Sequence, residues 1–225
     1  MPGGESGYTP SILQEVSAMT AQNFTKGNVA FDHSQTRENL MRAFAGESQA
    51  RNRYTFAASQ AQKEGLAAVA QIFTFTAGQE LAHAKVFYDF LRELSGQTIA
   101  VDGAYPVDLP PDTLGLLQAA RHNEYQEFEH DYPRFARIAR EEGFDFIGSR
   151  FEHIARIEQA HGDRFGALAD LLEGGKLFDS GEKTAWMCLN CGEIVTASLA
   201  PNQCPVCDHE RGYFIRLELA PFTRG

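Results

Sequence analysis

A Glu-x-x-His stands twice in this chain at the centre of an otherwise apolar helical stripe that recurs at a fixed offset, and no other feature constrains the fold as strongly. One stripe runs Val69, Phe73, Thr76, Glu80, His83, Phe87 and Leu94; the other runs Ile147, Phe151, Ile154, Glu158, His161, Phe165 and Leu172. At a spacing of three residues the acid and the imidazole share one helix face, and that face is the apolar one a helix buries. A single offset carries Tyr54 onto Tyr132, Glu64-Gly65 onto Glu142-Gly143, Phe73 onto Phe151, Glu80 onto Glu158, His83 onto His161 and Phe87 onto Phe165. The pattern predicts two duplicated helix hairpins joined by one long connection, which makes a four-helix bundle.

Helical spacing predicts helices over about 36–64, ended by Gly65, and over 66–95, stopped by Ser95-Gly96. The stretch "QTIAVDGAYPVDLPP" has no periodicity and is long for a tight hairpin. Further helices are predicted over about 112–142, with a kink at Pro133, and over 144–173. Residues 1–35 read as an N-terminal extension holding at most one short helix, 36–173 as the bundle and 174–184 as a linker. Residues 185–225 read as a small β-rich metal domain with segments such as "GYFIRLEL". The fold class is mainly α, and 43% hydrophobic residues with 17 Phe supply a real core.

Thirty acidic residues against twenty basic ones give a net charge of −10, which argues against a nucleic-acid partner and its basic footprint. The chain has no apolar run long enough for a membrane span and no secretory leader at its start. A cytoplasmic location is the expectation.

The helix from 36 adds Leu40, Phe44, Glu47, Tyr54 and Ala61 to the core pattern, and the helix from 112 adds Leu117, Ala120, Glu124, Glu127, Phe135 and Ile138. Five glutamates on core faces need partners, because a buried carboxylate is costly unless paired. The stripes contain no Arg or Lys. Two divalent cations would nearly balance five carboxylates and two neutral imidazoles. Oxygen-rich ligation with one imidazole per metal suits iron or manganese better than zinc or copper. His130 forms a third Glu-x-x-His with Glu127 but has no repeat mate, so it is not expected to be a ligand. His33, His122, His153 and His209 are read as surface residues.

All four cysteines fall in "CLNCGEIVTASLAPNQCPVC", as Cys188-x-x-Cys191 and Cys204-Pro-x-Cys207. In a reducing compartment such pairs are read as metal ligands before disulfides. The spacing alone leaves zinc and iron both open. Beside a redox bundle an electron carrier has an evident use, which favours iron. Gly192 frees the backbone to turn amide hydrogens onto a thiolate, and Trp186 is placed to shield the clamp.

With "GESQARNRY", "GQELAHAK", "NEYQEFEHDYPRFARIAREEGF", "IEQAHGDRF" and the cysteine stretch in hand, the chain resembles the rubrerythrin family over about residues 36–221. The resemblance implies a ferritin-like bundle with a non-haem di-iron site, followed by a rubredoxin-like domain with one Fe(Cys)4 centre in which zinc can substitute. Ferritin-like di-iron proteins take a Glu from each of two helices and a Glu-x-x-His from each of the other two. By motif, the di-iron ligands would be Glu47, Glu80, His83, Glu124, Glu127, Glu158 and His161, and the iron thiolates Cys188, Cys191, Cys204 and Cys207. In the family one glutamate exchanges with the histidine of the second helix as the redox state changes; the expected pair here is Glu124 and His83. Tyr54, Tyr132 and Glu124 would serve the chemistry by moving protons.

The implied activity is reduction of hydrogen peroxide to water in oxidative-stress defence. Electrons would enter through the Fe(Cys)4 centre from an external reductase or a rubredoxin, linked to NADH. A homodimer or higher homo-oligomer is expected. The alternatives are an iron-oxidising, iron-handling protein and a non-enzymatic protein with a structural zinc clamp. Two departures stand out: the N-terminal extension is long, and Glu193 follows Gly192 where the family commonly has an aromatic residue.

Overall fold

The computed structural model describes residues 29–221. Most of the stretch read as an N-terminal extension therefore lies outside the described residues. The bundle is built from α1 (Gln35–Lys63), α2 (Ala67–Phe90), α3 (Thr113–Gln126), α4 (Tyr132–Glu141) and α5 (Asp145–Glu173). A π-helical segment, Glu127–Asp131, joins α3 to α4 so that the two act as one long third helix. The crossover between α2 and α3 carries only a single short 3-10 turn, Arg92–Leu94, before an irregular stretch.

The duplicated Glu-Gly pairs explain both hairpin turns. Gly65 and Gly143 take positive φ, 72° and 90°, the conformation that ends a helix and that glycine adopts at no steric cost. The chain then folds back with Leu66 N–H on Ala61 O at 2.9 Å and Phe144 N–H on Ala139 O at 2.7 Å. Each preceding glutamate reaches to the opposite hairpin. The Glu142 carboxylate accepts from Gln35 N at 2.9 Å and Thr36 N at 2.8 Å, and that of Glu64 accepts from Thr113 N at 3.0 Å. These amides are donors that a helix start leaves free. The repeat in sequence is thus a repeat of caps.

Pro133 sits in the first turn of α4, directly after the π segment, and the bond its missing N–H removes would have gone to Glu129 within that segment. The irregularity lies one step upstream, in the π segment. Its wider turn absorbs one extra residue, and the buried stripe slips by one. Tyr132, Phe135, Ala136 and Ala139 are buried, while Ile138, predicted on the stripe, is half-buried.

A three-stranded antiparallel sheet follows, with β1 (Asp179–Cys188) between β2 (Ile194–Leu199) and β3 (Phe214–Arg216). β1 begins at Asp179, inside the stretch read as a linker. Trp186, near the end of β1, is fully buried against Cys188, Cys204 and Phe214, and donates to Ala197 O at 3.0 Å. The sheet is packed onto the bundle. Leu177, Ile215 and Ala220 join the same apolar cluster as Val69, Ile72 and Leu168.

Between two apolar ends the bundle core turns polar. One end holds the aromatic trio Tyr54, Phe73 and Phe165, the other Tyr132, Phe151 and Phe87, with ring centroids 5.0–6.0 Å apart in each. The sequence offset maps one trio onto the other. Glu47, Glu80, His83, Glu124, Glu158 and His161 lie between them, all buried.

Candidate metal centres

Glu80 and His83 project from α2 and Glu158 and His161 from α5, so the two repeats face each other across the core. His83 Nδ1 lies 2.9 Å from Glu158 Oε1, 3.1 Å from Glu80 Oε2 and 3.8 Å from Glu47 Oε2. His161 Nδ1 lies 2.8 Å from Glu158 Oε2, 3.0 Å from Glu80 Oε1 and 3.7 Å from Glu124 Oε2. Glu80 and Glu158 therefore each turn one oxygen to either imidazole. The result is two overlapping pockets, Glu47/Glu80/His83/Glu158 and Glu80/Glu124/Glu158/His161, with the ligand atoms of each within 4.8 Å of one another.

The donor atoms themselves test whether metal fits. Glu47 Oε2, Glu80 Oε1, Glu124 Oε2, both oxygens of Glu158 and His161 Nδ1 are buried without an aligned hydrogen-bond partner. Buried polar atoms in folded proteins are nearly always satisfied. Atoms that approach to 2.8–3.8 Å yet do not align are arranged around a shared point. Two bridging carboxylates, a terminal carboxylate at each end and one imidazole at each end fit a pair of hard or borderline divalent cations.

Without metal, protons take over that role. Burial alone would push the Glu80 carboxyl up, but contact with His161 and His83 brings it down to about 2. Burial would likewise depress the imidazoles, yet the surrounding carboxylates raise both, that of His161 to about 12. Glu124 is raised to about 8 by burial and the Glu80 charge, and Glu47 is raised well above its usual range by burial and Glu158.

Around this centre Tyr132 Oη–H donates to Glu47 Oε1 and Tyr54 Oη–H to Glu124 Oε1. The two tyrosines thus serve the two terminal carboxylates, one per pocket. His161 Nε2–H donates to Gln79 Oε1 at 3.1 Å, which leaves Nδ1 as the nitrogen that faces the pocket. Arg164 Nη1 approaches Gln79 Oε1 at 3.4 Å and Thr76 Oγ1 at 3.3 Å. Sequence reasoning missed Gln79 and Arg164, although their positions beside Glu80 and one turn beyond His161 were the available signal.

Glu127 is the sequence candidate left outside both pockets. It is half-buried, and its Oε1 lies 4.0 Å from where a Cβ on Gly46 would stand, on the Glu47 side. Its carboxyl is pushed well up by burial and then by the Glu47 charge. Glu124, the glutamate paired with His83 in the sequence reading, instead lies in the His161 pocket. It is Glu127 that borders the pocket of His83. His130 is exposed.

Cys188, Cys191, Cys204 and Cys207 converge to form the second cluster, with Sγ···Sγ contacts of 3.7 Å for Cys188–Cys207 and 3.6 Å for Cys191–Cys204. Gly192 has φ 83°. Amides of Asn190 and Cys191 point to the Cys188 sulfur, that of Glu193 to Cys191 and that of His209 to Cys207. The His209 contact leads in holding the Cys207 thiol down, at about 6. His209, placed at the surface by the sequence reading, is half-buried with its ring edge-on to Tyr213 at 4.4 Å. Four thiolates under amide donors suit a single tetrahedral metal.

A four-helix bundle with a buried dinuclear pocket, carrying a four-thiolate clamp on the same chain, is a ferritin-like metalloprotein with a second, four-cysteine metal module. The rubrerythrin family model matches residues 38–169, and the model of the rubrerythrin rubredoxin-like domain matches residues 186–215. The rubrerythrin of Clostridium perfringens is 47% identical over 182 residues, covering 80% of this chain and 93% of that protein. That of Nitratidesulfovibrio vulgaris is 41% identical over 181 residues, with 80% and 93% covered. A partially reduced nigerythrin structure superposes with TM-score 0.56 at 25% identity, covering 95% of this chain and all of that one. A Desulfovibrio desulfuricans bacterioferritin with a di-iron site shares the fold, with TM-score 0.55 at 22% identity over 63% of this chain and 82% of its own. The chain belongs to the rubrerythrin family. Its cofactors are a non-haem di-iron site in the bundle and a single iron held by four cysteines.

Proposed function

We propose that this protein is a peroxidase that reduces hydrogen peroxide to water, H2O2 + 2 H+ + 2 e− → 2 H2O, in defence against oxidative stress. The observation that carries this reading is that a two-metal pocket and a four-thiolate clamp share one chain and one packed core. When bound, two ferrous ions supply two electrons together and act as Lewis acids towards the O–O bond.

Glu80 and Glu158 bridge the pockets, Glu47 and Glu124 close the ends, and His83 and His161 each present Nδ1. Glu127 completes the set from the Glu47 side. A redox-linked exchange with His83 would fall to Glu127 and not to Glu124, because Glu127 is the carboxyl group that borders the His83 pocket from outside. Tyr54 Oη and Tyr132 Oη hold protons against Glu124 and Glu47, where the two protons of the reaction are consumed. Gln79 fixes the His161 tautomer. The aromatic trios exclude water from both ends.

Electrons reach Cys188, Cys191, Cys204 and Cys207 from an external donor, an NADH-linked reductase or a rubredoxin. A reducing cytoplasm suits four unpaired thiols. Among the described residues no helix is long and apolar enough to cross a membrane.

The test is anaerobic. Chemically reduced, iron-loaded protein should consume about one equivalent of peroxide per di-iron site in single turnover, as the two-electron balance requires. Cys188→Ser should keep that single turnover and lose steady-state activity with a reductase. A reduced wild-type protein that reacts with oxygen but not with peroxide would overturn the reading.

A further inference from the structure

A cavity of about 650 Å³ opens between α1, the third helix and the α2–α3 crossover. Gly46, Glu127 and Tyr132 form its inner end, against the Glu47 pocket, and residues 102–106 of the crossover form its roof. We propose that this cavity is the route by which hydroperoxides reach the di-iron site, and that Tyr105 and Gly46 set the size it admits. The substrate in this proposal rests on the peroxidase reading above; the route rests on geometry alone.

The roof is fastened, not merely nearby. Arg42 on α1 donates to Asp102 O at 3.0 Å and to Asp102 Oδ1 at 2.7 Å. Tyr105 Oη–H donates to Arg42 O at 3.0 Å, which pins the ring across the cavity. Gly103 makes room for that ring, since a Cβ there would fall 2.8 Å from Tyr105 Cε2. On the opposite wall a Cβ at Gly46 would stand 3.7 Å from Tyr105 Cε1 and 4.0 Å from Glu127 Oε1. The hydrogen of Gly46 therefore faces the gap between the crossover tyrosine and the carboxylate nearest the metal pocket. A single methyl narrows that gap, and a branched side chain closes it.

The lining suits a small hydrogen-bonding guest. Asn39 is 1% exposed, lines the cavity and keeps a buried Nδ2 without a partner. Each water in liquid occupies about 30 Å³, so the cavity far exceeds hydrogen peroxide. Its narrow inner end, not its volume, would do the selecting. Small alkyl hydroperoxides fit the cavity and are stopped at Tyr105.

The test compares wild type, Gly46→Val and Tyr105→Ala in two measurements. The first is single-turnover reoxidation of reduced protein by hydrogen peroxide, tert-butyl hydroperoxide and cumene hydroperoxide. The second is the rate of azide binding to the oxidised site, followed by its visible absorbance. Gly46→Val should slow hydrogen peroxide and azide together, each on the order of tenfold for the blocked methyl-sized gap. Tyr105→Ala should speed the two bulky hydroperoxides on the order of tenfold while hydrogen peroxide changes little. Wild-type rates of azide entry in a folded Gly46→Val would overturn the route. An unchanged ratio of cumene to hydrogen peroxide rates in Tyr105→Ala would overturn the size limit, even where Gly46→Val does not fold. If no hydroperoxide reoxidises wild type, the peroxidase reading falls, and the azide rates still decide the route.

Discussion

Glu80 and Glu158 each serve both imidazoles, so protons and metal compete for the same few atoms. In the metal-free protein both imidazoles hold protons, His161 up to about 12, and Glu124 holds one up to about 8. A raised imidazole stabilises the folded chain fully below its unfolded pKa of about 6.5 and loses that contribution only as pH climbs through the folded value. A raised carboxyl binds its proton more tightly when folded, so the Glu124 contribution falls as pH rises from its unfolded value of about 4.3 to about 8. Metal must displace these protons. The melting temperature of metal-free protein should therefore drop from pH 5 to pH 8, while the gap between loaded and metal-free protein widens. Thermal melts with and without ferrous or manganous ion check this; a gap that narrows with pH sinks it. Gln79 offers a second handle at this scale, because among the described residues it accepts from His161 Nε2. Gln79→Leu should weaken metal binding by about 10–100-fold, the usual cost of losing such an outer contact. Gln79→Glu should restore most of it, which a merely space-filling role would not require.

At the scale of elements, the π segment is the feature that shapes the site. Continuing α-helix from Thr113 would keep Ile138 on the core stripe; the extra residue at Glu127–Asp131 brings Tyr132, Ala136 and Ala139 there instead. Tyr132 thereby reaches Glu47. Deleting the exposed Glu129 should restore α-helical pairing and keep the helix content seen by circular dichroism. It should also rotate Glu127 away from the cavity and weaken metal binding in the Glu47/His83 pocket by about tenfold. Unchanged affinity in a folded deletion variant would show that the π turn does not position Glu127. This element marks where the sequence stopped being legible. The stripes of α2 and α5 could be read because period and duplication agree, and Glu80, His83, Glu158 and His161 fall where that reading put them. A π turn leaves no periodic trace in so short a span, so Ile138 was misplaced. Phe44, also read as core, is half-buried and stacks on Tyr88 at 4.7 Å while Ala43 takes the buried position. Glu124 and Glu127 could not be told apart by spacing alone, since both fall near one face. The caps by Glu64 and Glu142 were visible as a repeat, but their role depends on contacts between residues 49 and 107 positions apart.

At the scale of the whole molecule, the clamp is fixed to one end of the bundle. A Cβ on Gly212 would stand 1.8 Å from Gly65 O, at the α1–α2 turn, so the two backbones meet with no room for a side chain. Arg216 secures the joint from the other side, donating to Lys176 O at 2.9 Å and Asp179 O at 3.1 Å. Gly212→Ala should cost about 1–3 kcal/mol by overpacking and loosen the module, read as faster proteolysis near Gly175 with the clamp iron retained. The same joint sets a distance. Glu80 lies fifteen residues along the chain from Gly65, about 22 Å at the rise of an α-helix. That is far for fast electron transfer within one chain, and the joint leaves the clamp no freedom to swing closer. We therefore expect a second copy, arranged head to tail, to present its clamp to this chain's di-iron site. Mixing Cys188→Ser with Glu80→Ala separates the two routes, since each parent lacks one centre and neither should turn over peroxide with a reductase. Exchanged heterodimers, verified by native mass spectrometry, should recover part of the wild-type rate, because each holds one intact clamp facing one intact di-iron site. No recovery with exchange complete would place the electron route inside a single chain, through the Gly65–Gly212 joint and down α2.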